Sequence, residues 1–314
     1  MTLTDHHIKQ QIRKKAKELG FLKTGFAKSE VLDKEPDQLS RWLVKGYDAD
    51  MSWIKNSFNK RKNISLVLEN AKTVISLAYY YDTPFKHDEH LPKISRYAWG
   101  KDYHKLIKSK LKVLSEYIEN LFQRMEPEKI ATKYYVDDGP VMDKAWAVRA
   151  GIGWMGKHTN IIDPHYGSWL FISEIITNIE FDTYDEPHPD LCGSCRICID
   201  ACPTGAIVDE YLLDANLCIS YQTIENRKEI PEHIDLAGWI FGCDICQDVC
   251  PFNPTETDLI KFDSSFSPDL HVFNKSTEEL EKIDEQKFNE LFSDSPVKRT
   301  KYSGWKRNLE RVKQ

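Results

Sequence analysis

The chain has no apolar run long enough to cross a bilayer: its longest, such as residues 73–80, fall far short of the ~20 residues a spanning helix needs. The opening stretch, MTLTDHHIKQ, carries neither an apolar leader nor a twin arginine. That excludes the common export signals and predicts a cytoplasmic protein with no membrane partner. There is no excess of basic charge either. Lys and Arg total 43 against 49 Asp and Glu, for a net charge of −6, so any nucleic-acid contact must come from a local patch. Low-complexity tracts are absent. A nucleotide fingerprint is missing in any usable context: Gly151-Ile-Gly153-Trp-Met-Gly156 matches G-x-G-x-x-G, but it follows a predicted helix where a dinucleotide site needs a strand.

What is there begins with cysteine. Cys192, Cys195, Cys198 and Cys202, followed by Pro203, have the x2-x2-x3 spacing of the bacterial ferredoxin run. Three thiolates of such a run fold around one iron–sulfur cube while the fourth points to a second. The second group is Cys243-x2-Cys246-x3-Cys250-Pro251, one thiolate short because Val249 stands where the third would be. Cys218 is the only cysteine left to complete it. The spacing therefore assigns Cys192, Cys195, Cys198 and Cys250 to one [4Fe–4S] cluster, and Cys202, Cys218, Cys243 and Cys246 to another. Two four-cysteine zinc sites are the competing reading. Disulfides are disfavoured in a cytosolic chain.

The rest reads as alternating helix and strand. Residues 6–20 have apolar positions at helical spacing. Residues 21–27, 71–81, 131–136 and 168–181 read as strands, with 71–81 strongly apolar. Residues 39–45 read as a short helix and 103–124 as a long amphipathic one. Pro140 is expected to open a helix running to about residue 150. Residues 94–104 are polar and aromatic without a period, a loop that either binds a ligand or merely connects. Residues 269–293 look helical. The tail, 298–313, holds seven cations against Glu310, with Tyr302 and Trp305 between them. That is either a solvated helix end or a nucleic-acid contact, in which cations meet phosphate and aromatics stack on bases.

Two clusters make an electron wire, and the large segment before them must supply its terminus. The glycines at 151–156 would bring backbone close to a bulky ligand, with Lys157, His158 and Thr159 beside it. The D-x-H-x-x-G signature of histidine-ligated cobalamin is missed by one residue at Asp163-Pro-His165-Tyr-Gly167, so His165 is not assigned as a cobalt ligand. Asp137 is the acid of most interest, at the end of a predicted strand. Burial beside a cofactor would let it hold a proton at neutral pH. An ordinary Asp-Gly-Pro turn, or Asp138 as the active acid, are the alternatives.

Several segments in combination resemble the epoxyqueuosine reductases: Ser95-Arg-Tyr-Ala-Trp-Gly-Lys-Asp-Tyr-His104, Val136-Asp-Asp-Gly-Pro140, Ala150-Gly-Ile-Gly-Trp-Met-Gly-Lys-His158, Cys218-Ile-Ser-Tyr-Gln-Thr-Ile-Glu225 and both cysteine motifs. The resemblance runs through nearly the whole chain. It implies an α+β protein with an N-terminal α/β cobalamin-binding domain (1–186), a ferredoxin-like domain with two [4Fe–4S] clusters (187–256) and a helical, basic C-terminal segment (257–314). It implies base-off cobalamin, Asp137 as proton donor, and residues 153–158 along the corrin, with Gly153, Trp154, Lys157, His158 and Thr159 as contacts. Arg61, Tyr97, Ser173, Ser220 and Gln222 are further expected cofactor or substrate contacts. Lys298, Arg299, Lys306 and Arg307 are expected to hold tRNA. The partners implied are the anticodon stem-loop of a tRNA bearing epoxyqueuosine and an external low-potential electron donor, with the chain a monomer. A cobalamin-dependent reductive dehalogenase and a ferredoxin-type electron carrier are the rival readings.

Overall fold

Four strands build the centre of the computed structural model, which describes residues 5–123, 130–253 and 262–313. The principal elements are α1 (Asp5–Glu18), β1 (Lys23–Lys28), α2 (Lys34–Val44), β2 (Thr73–Tyr80), α3 (Tyr103–Gln123), β3 (Thr132–Tyr135), α4 (Asp143–Arg149), β4 (Leu170–Thr177), α5 (Ile219–Ile224) and α6 (Lys301–Val312). The sheet runs β1-β2-β4-β3 with every neighbouring pair antiparallel. Helices cover both faces, so β2 is buried at all eight positions and reads as a continuous apolar run. Ile75, Leu77 and Ile175 face α1 and α3, where Ile8, Ile12, Ile107, Leu111, Leu114 and Ile118 pack. Val74, Ala78 and Ile176 face α4 through Trp146 and Ala147. This second face requires Gly25 in β1: a Cβ there would stand 1.8 Å from the Ala150 carbonyl oxygen.

Several elements depart from the sequence reading for local reasons. The helix expected from Pro140 starts at Asp143 instead, because Arg61 donates to the carbonyls of Val141 (2.5 Å) and Gly139 (3.4 Å) and holds that backbone out of a helix. The 94–104 segment is mostly an internal clamp. Ser95 Oγ and the Arg96 amide bond Asp244, and the Arg96 guanidinium reaches Asp82 (2.9 Å) and Asp248 (2.6 Å). Lys93–Ile94 also pairs in parallel with Trp239–Phe241, tying the cysteine segment to the rest of the chain. Helix in 269–293 is confined to Thr277–Glu281 and Glu285–Leu291. The expected helix end at residue 124 and the 256/257 boundary fall outside the described residues.

The tail folds into the core. Trp305 is fully buried against Phe288 and Phe292, with ring centroids 5.9 and 5.2 Å away. It cannot stack on a base, which corrects the expectation for the tail aromatics. Trp305→Ala is expected to cost about 3–5 kcal/mol in thermal or denaturant unfolding, with no tRNA-specific defect at temperatures where the variant is folded.

Candidate active site

None of the eight cysteines is in a disulfide, and their mutual electrostatic effects sort them into two groups. Burial and the adjacent Cys250, Cys192 and Cys195 push the Cys198 thiol up to about 11. Cys250 is raised by burial and by the same Cys192 and Cys195. In the second group, burial followed by Cys218, Asp244 and Cys202 raises Cys246; burial followed by Cys246, Asp244 and Cys218 raises Cys243; and burial together with Cys202 raises Cys218. Crowded, buried thiols of this kind are relieved when a cationic metal centre takes them as thiolates. The donor set therefore fits two four-thiolate centres. They adjoin, since Cys198 also raises Cys246 and the short helices Ile197–Asp200 and Ile245–Asp248 pack together. Leu191 and Ile197, beside the first group in the chain, are exposed, although Cys192, Cys198 and Cys250 are themselves buried.

The second group and the turn after β3 border one common space, the hollow, since Lys144 feels Asp137, Cys246 and Cys218 together. Asp137 there has φ +56°, a left-handed conformation that a non-glycine residue holds only when its surroundings fix it. Tyr103 at the start of α3 is one fixing partner. Its hydroxyl donates to Asp137 Oδ2 (2.6 Å), and its ring stacks on Phe171 at 4.1 Å. Burial, then the Asp137 charge, raises the Tyr103 hydroxyl well above its ordinary range, so it stays a donor. Tyr97 is raised for the same reasons, burial first and then Asp137, Asp244 and Glu225. Asp137 itself is exposed at the hollow and not buried, contrary to the sequence expectation. Asp138 turns away to an ion pair with Lys108.

Lys144 projects into the same hollow. Its side chain reaches water, but protein surrounds the ammonium closely enough that desolvation lowers its pKa against the pull of Asp137, Cys246, Asp143 and Cys218. It donates to the Thr159 carbonyl (2.7 Å) and Asn160 Oδ1 (3.1 Å), which holds Thr159 at φ +66°. His158 is buried and pushed down to about 4 by desolvation and by Lys144, and its Nε2 has no hydrogen-bond partner among the described residues. A buried orphan ring nitrogen beside a strained backbone turn fits a hollow built for a large polar ligand. Neither of two other cavities, about 250 Å³ beside Trp99 and about 490 Å³ beside Arg13, belongs to this site.

Not all expected contacts converge here. Gly153 is required by protein, since a Cβ would stand 2.1 Å from the Ile162 carbonyl across the Trp154–Met155/Ile161–Ile162 hairpin. Trp154 turns to the first thiol group, its indole N–H lying 3.4 Å from Cys192 Sγ. Lys157 also points away, to the Gly193 carbonyl (2.6 Å) and Glu210 (2.7 Å). Ser173 is fully buried within the sheet, its hydroxyl 3.5 Å from the Leu77 carbonyl. Gln222 is buried with both ends of its amide engaged, by Asn216 and Asn226. Arg61 stands behind the Asp137 turn as a backbone clamp. Ser220, half-buried on α5, helps stabilise the Cys218 thiolate. Arg307 donates to the carbonyls of Gln222, Asn226 and Lys228 at 2.6–2.8 Å, which makes it a structural pin rather than a phosphate ligand. Arg299 does reach the mouth of the hollow. It is paired bidentately with Glu225 (both 2.9 Å), lies 5.5 Å from the ring centre of exposed Trp53, and feels Asp137 and Tyr103. Lys298 and Lys306 are exposed.

Residues 61–138 match the family model described as Epoxyqueuosine reductase QueG, DUF1730, and residues 191–253 match the 4Fe-4S double cluster binding domain. Epoxyqueuosine reductase of Cellulophaga algicola is 42% identical over 308 residues, spanning 96% of this chain and 97% of that protein. The chain belongs to the epoxyqueuosine reductase family. Membership makes it an oxidoreductase and assigns the cysteine segment to iron–sulfur clusters, against zinc. Among solved members of the family, an epoxyqueuosine reductase with a tRNA-Tyr epoxyqueuosine-modified stem loop has a TM-score of 0.84 and 31% identity, covering 98% of this chain and 81% of that one. Another, from Bacillus subtilis, has its catalytic aspartate loop swung out of the active site; its TM-score is 0.83 at 31% identity, over 98% of this chain and 82% of that chain. No helix among the described residues is long and apolar enough to cross a membrane.

Tyr103 is absent from the sequence-derived site, yet it holds the key acid. Tyr103→Phe removes one hydrogen bond to a charged group, worth about 1.5–3 kcal/mol, and is expected to slow turnover about 10- to 100-fold. Stem-loop affinity measured alongside should be unchanged.

Proposed function

We propose that the chain reduces epoxyqueuosine to queuosine at the wobble position of tRNA, in the cytoplasm and as a monomer, fed by an external low-potential electron donor. The observation that carries this reading is the meeting of the second thiol group, the hollow and the Tyr103–Asp137 pair at one place. Cys192, Cys195, Cys198 and Cys250 hold the outer cluster, and Cys202, Cys218, Cys243 and Cys246 the inner one. His158, Thr159 and Lys144 line the place for cobalamin, with Tyr97 beside Asp137. Bound cobalamin supplies the low-potential reducing equivalents, which the two clusters deliver one electron at a time.

The remaining chemistry belongs to the chain. Epoxide, two electrons and two protons give alkene and water. Asp137 supplies a proton to the epoxide oxygen as its C–O bond opens, so that no bare alkoxide has to leave. Tyr103 occupies Oδ2, which leaves Oδ1 to carry that proton. The solved relative with its aspartate loop swung out supports a mobile role for the 137–140 turn, with the left-handed backbone as its hinge. Trp53 and Arg299 form the rim that the splayed base meets, and Lys298 and Lys306 hold phosphate.

Incubation of the cluster-loaded, cobalamin-bound protein with a strong reductant and epoxyqueuosine tRNA tests the reading by nucleoside mass spectrometry. Loss of one oxygen supports it; an unchanged nucleoside overturns it. For the rim, a Lys298→Ala, Lys306→Ala double variant is expected to bind stem-loop more weakly and to flatten the log–log salt slope by about one unit per lost phosphate contact. An unchanged slope in equilibrium binding would remove both lysines from the interface.

A further inference from the structure

Beneath the Asp137 turn lies an acidic pair that the reaction so far does not use, Glu174 buried and Asp143 half-buried with its Oδ1 inside. Glu174 stands in the middle of β4, the one ionisable residue in LFISEIIT, and is fully buried. Its carboxyl lies within hydrogen-bonding reach of the Asp143 carboxyl at the start of α4. Neither Glu174 oxygen nor Asp143 Oδ1 receives a hydrogen bond from an N–H or hydroxyl among the described residues. Ser76, directly across on β2, brings its hydroxyl within the same reach of Glu174 as the Asp143 carboxyl, without a closed hydrogen bond. Among the described residues no cation pairs with Glu174: Arg61 spends its donors on Ser57, Gly139 and Val141, and Lys144 turns to Thr159. Two carboxyls in contact, with one hydroxyl in reach and no cation paired to Glu174 among the described residues, are most stable when they share a proton. Burial raises Glu174 well above the usual carboxylate range, and Asp143 and Asp137 raise it further.

Resting on the functional reading above, we infer that Glu174 and Asp143 form a shared-proton pair that serves as the internal reserve for Asp137, supplying the second proton of the reaction. The stoichiometry calls for a second donor: loss of the epoxide oxygen as water consumes two protons, Asp137 carries one, and Lys144 is turned to the Thr159 carbonyl and Asn160. Once a stem-loop covers the hollow, bulk water is a poor source for the second. Asp143 is six residues from Asp137 on one continuous turn, and Arg61, whose guanidinium feels both, fixes the backbone between them. The proton passes from Glu174 to Asp143 and on to Asp137 after Asp137 has given up its own. The pair is doubly ionised only transiently, with the Arg61 and Lys144 charges beside Asp143 offsetting the cost, and it regains its proton from solvent when product leaves. The other groups facing the pair are Arg61, Lys144, Ser76 and Tyr135; Tyr135 is the register partner of Glu174 on β3.

Glu174→Gln separates this role from a structural one, because an amide can still donate to Asp143 and keep the contact while holding no transferable proton. Infrared spectra of the holoprotein at neutral pH should contain a buried protonated-carboxyl C=O band that shifts in heavy water and is missing from Glu174→Gln. With cluster content, cobalamin content and stem-loop affinity unchanged, conversion by Glu174→Gln should slow by about 10²-fold, and the alkaline limb of its pH profile should change. If Glu174→Gln does not fold, Asp143→Asn makes the same test, with the band kept at an altered frequency and conversion slowed to a similar degree. A band that persists unaltered in the variants, or conversion at the wild-type rate, overturns the reserve. A wild-type protein that has the band but leaves epoxyqueuosine unchanged overturns the functional reading instead.

Discussion

Asp137→Asn should lower turnover of epoxyqueuosine tRNA by about 10²–10⁴-fold, the usual worth of a placed general acid. The variant should keep both clusters, cobalamin and stem-loop affinity. The reason is local: asparagine can still accept the Tyr103 hydrogen bond (2.6 Å in the native chain) and can adopt the left-handed backbone at φ +56°. The substitution therefore leaves the turn intact and removes only the proton. Single-turnover conversion with a pre-reduced enzyme reads the effect without contributions from the external donor. Wild-type conversion would remove Asp137 from the chemistry and turn attention to Lys144, the other proton-bearing group in the hollow.

An effect as large is expected from the inner thiol group. Cys246→Ala should cut bound iron by about half, from roughly eight to roughly four per chain, and abolish conversion. Cys246 lies between Cys218, Cys202 and Cys198 and also feels Lys144, so its loss breaks the route at the point where the clusters meet the hollow. Full iron content with normal conversion would mean that the inner group is not a cluster. Loss of iron with conversion retained would mean that electrons enter the hollow without it.

The sequence made the cysteine chemistry legible because cluster ligation is written in local spacing. The Cys218 contribution, sixteen residues from its nearest partner Cys202, was reachable only by elimination. The strands were legible where both faces are covered, as in β2, and Asp137 could be found because it ends a strand in a turn. What could not be read depends on which surface a residue meets after folding. Trp305 and Arg307 have the composition of a nucleic-acid patch, but one fills a core and the other pins three carbonyls. Gly153 is glycine because a neighbouring strand passes, not because a ligand does. Tyr103 read as the first residue of a helix and as part of the 94–104 loop, with nothing to single it out as the partner of Asp137. Glu174 left a signal that went unused: an acid in the middle of an apolar strand, where a charge without a partner is costly.

The central claim is that one hollow joins the inner cluster, cobalamin and Asp137 in a single reduction. The most direct measurement is conversion of epoxyqueuosine tRNA by the same cluster-reconstituted preparation with and without added cobalamin. Clusters and cofactor are quantified in each sample, and the digested nucleosides are read by mass. The prediction is loss of one oxygen mass only when cobalamin is bound. Equal conversion without cobalamin, or none with both clusters and cobalamin in place, would contradict it.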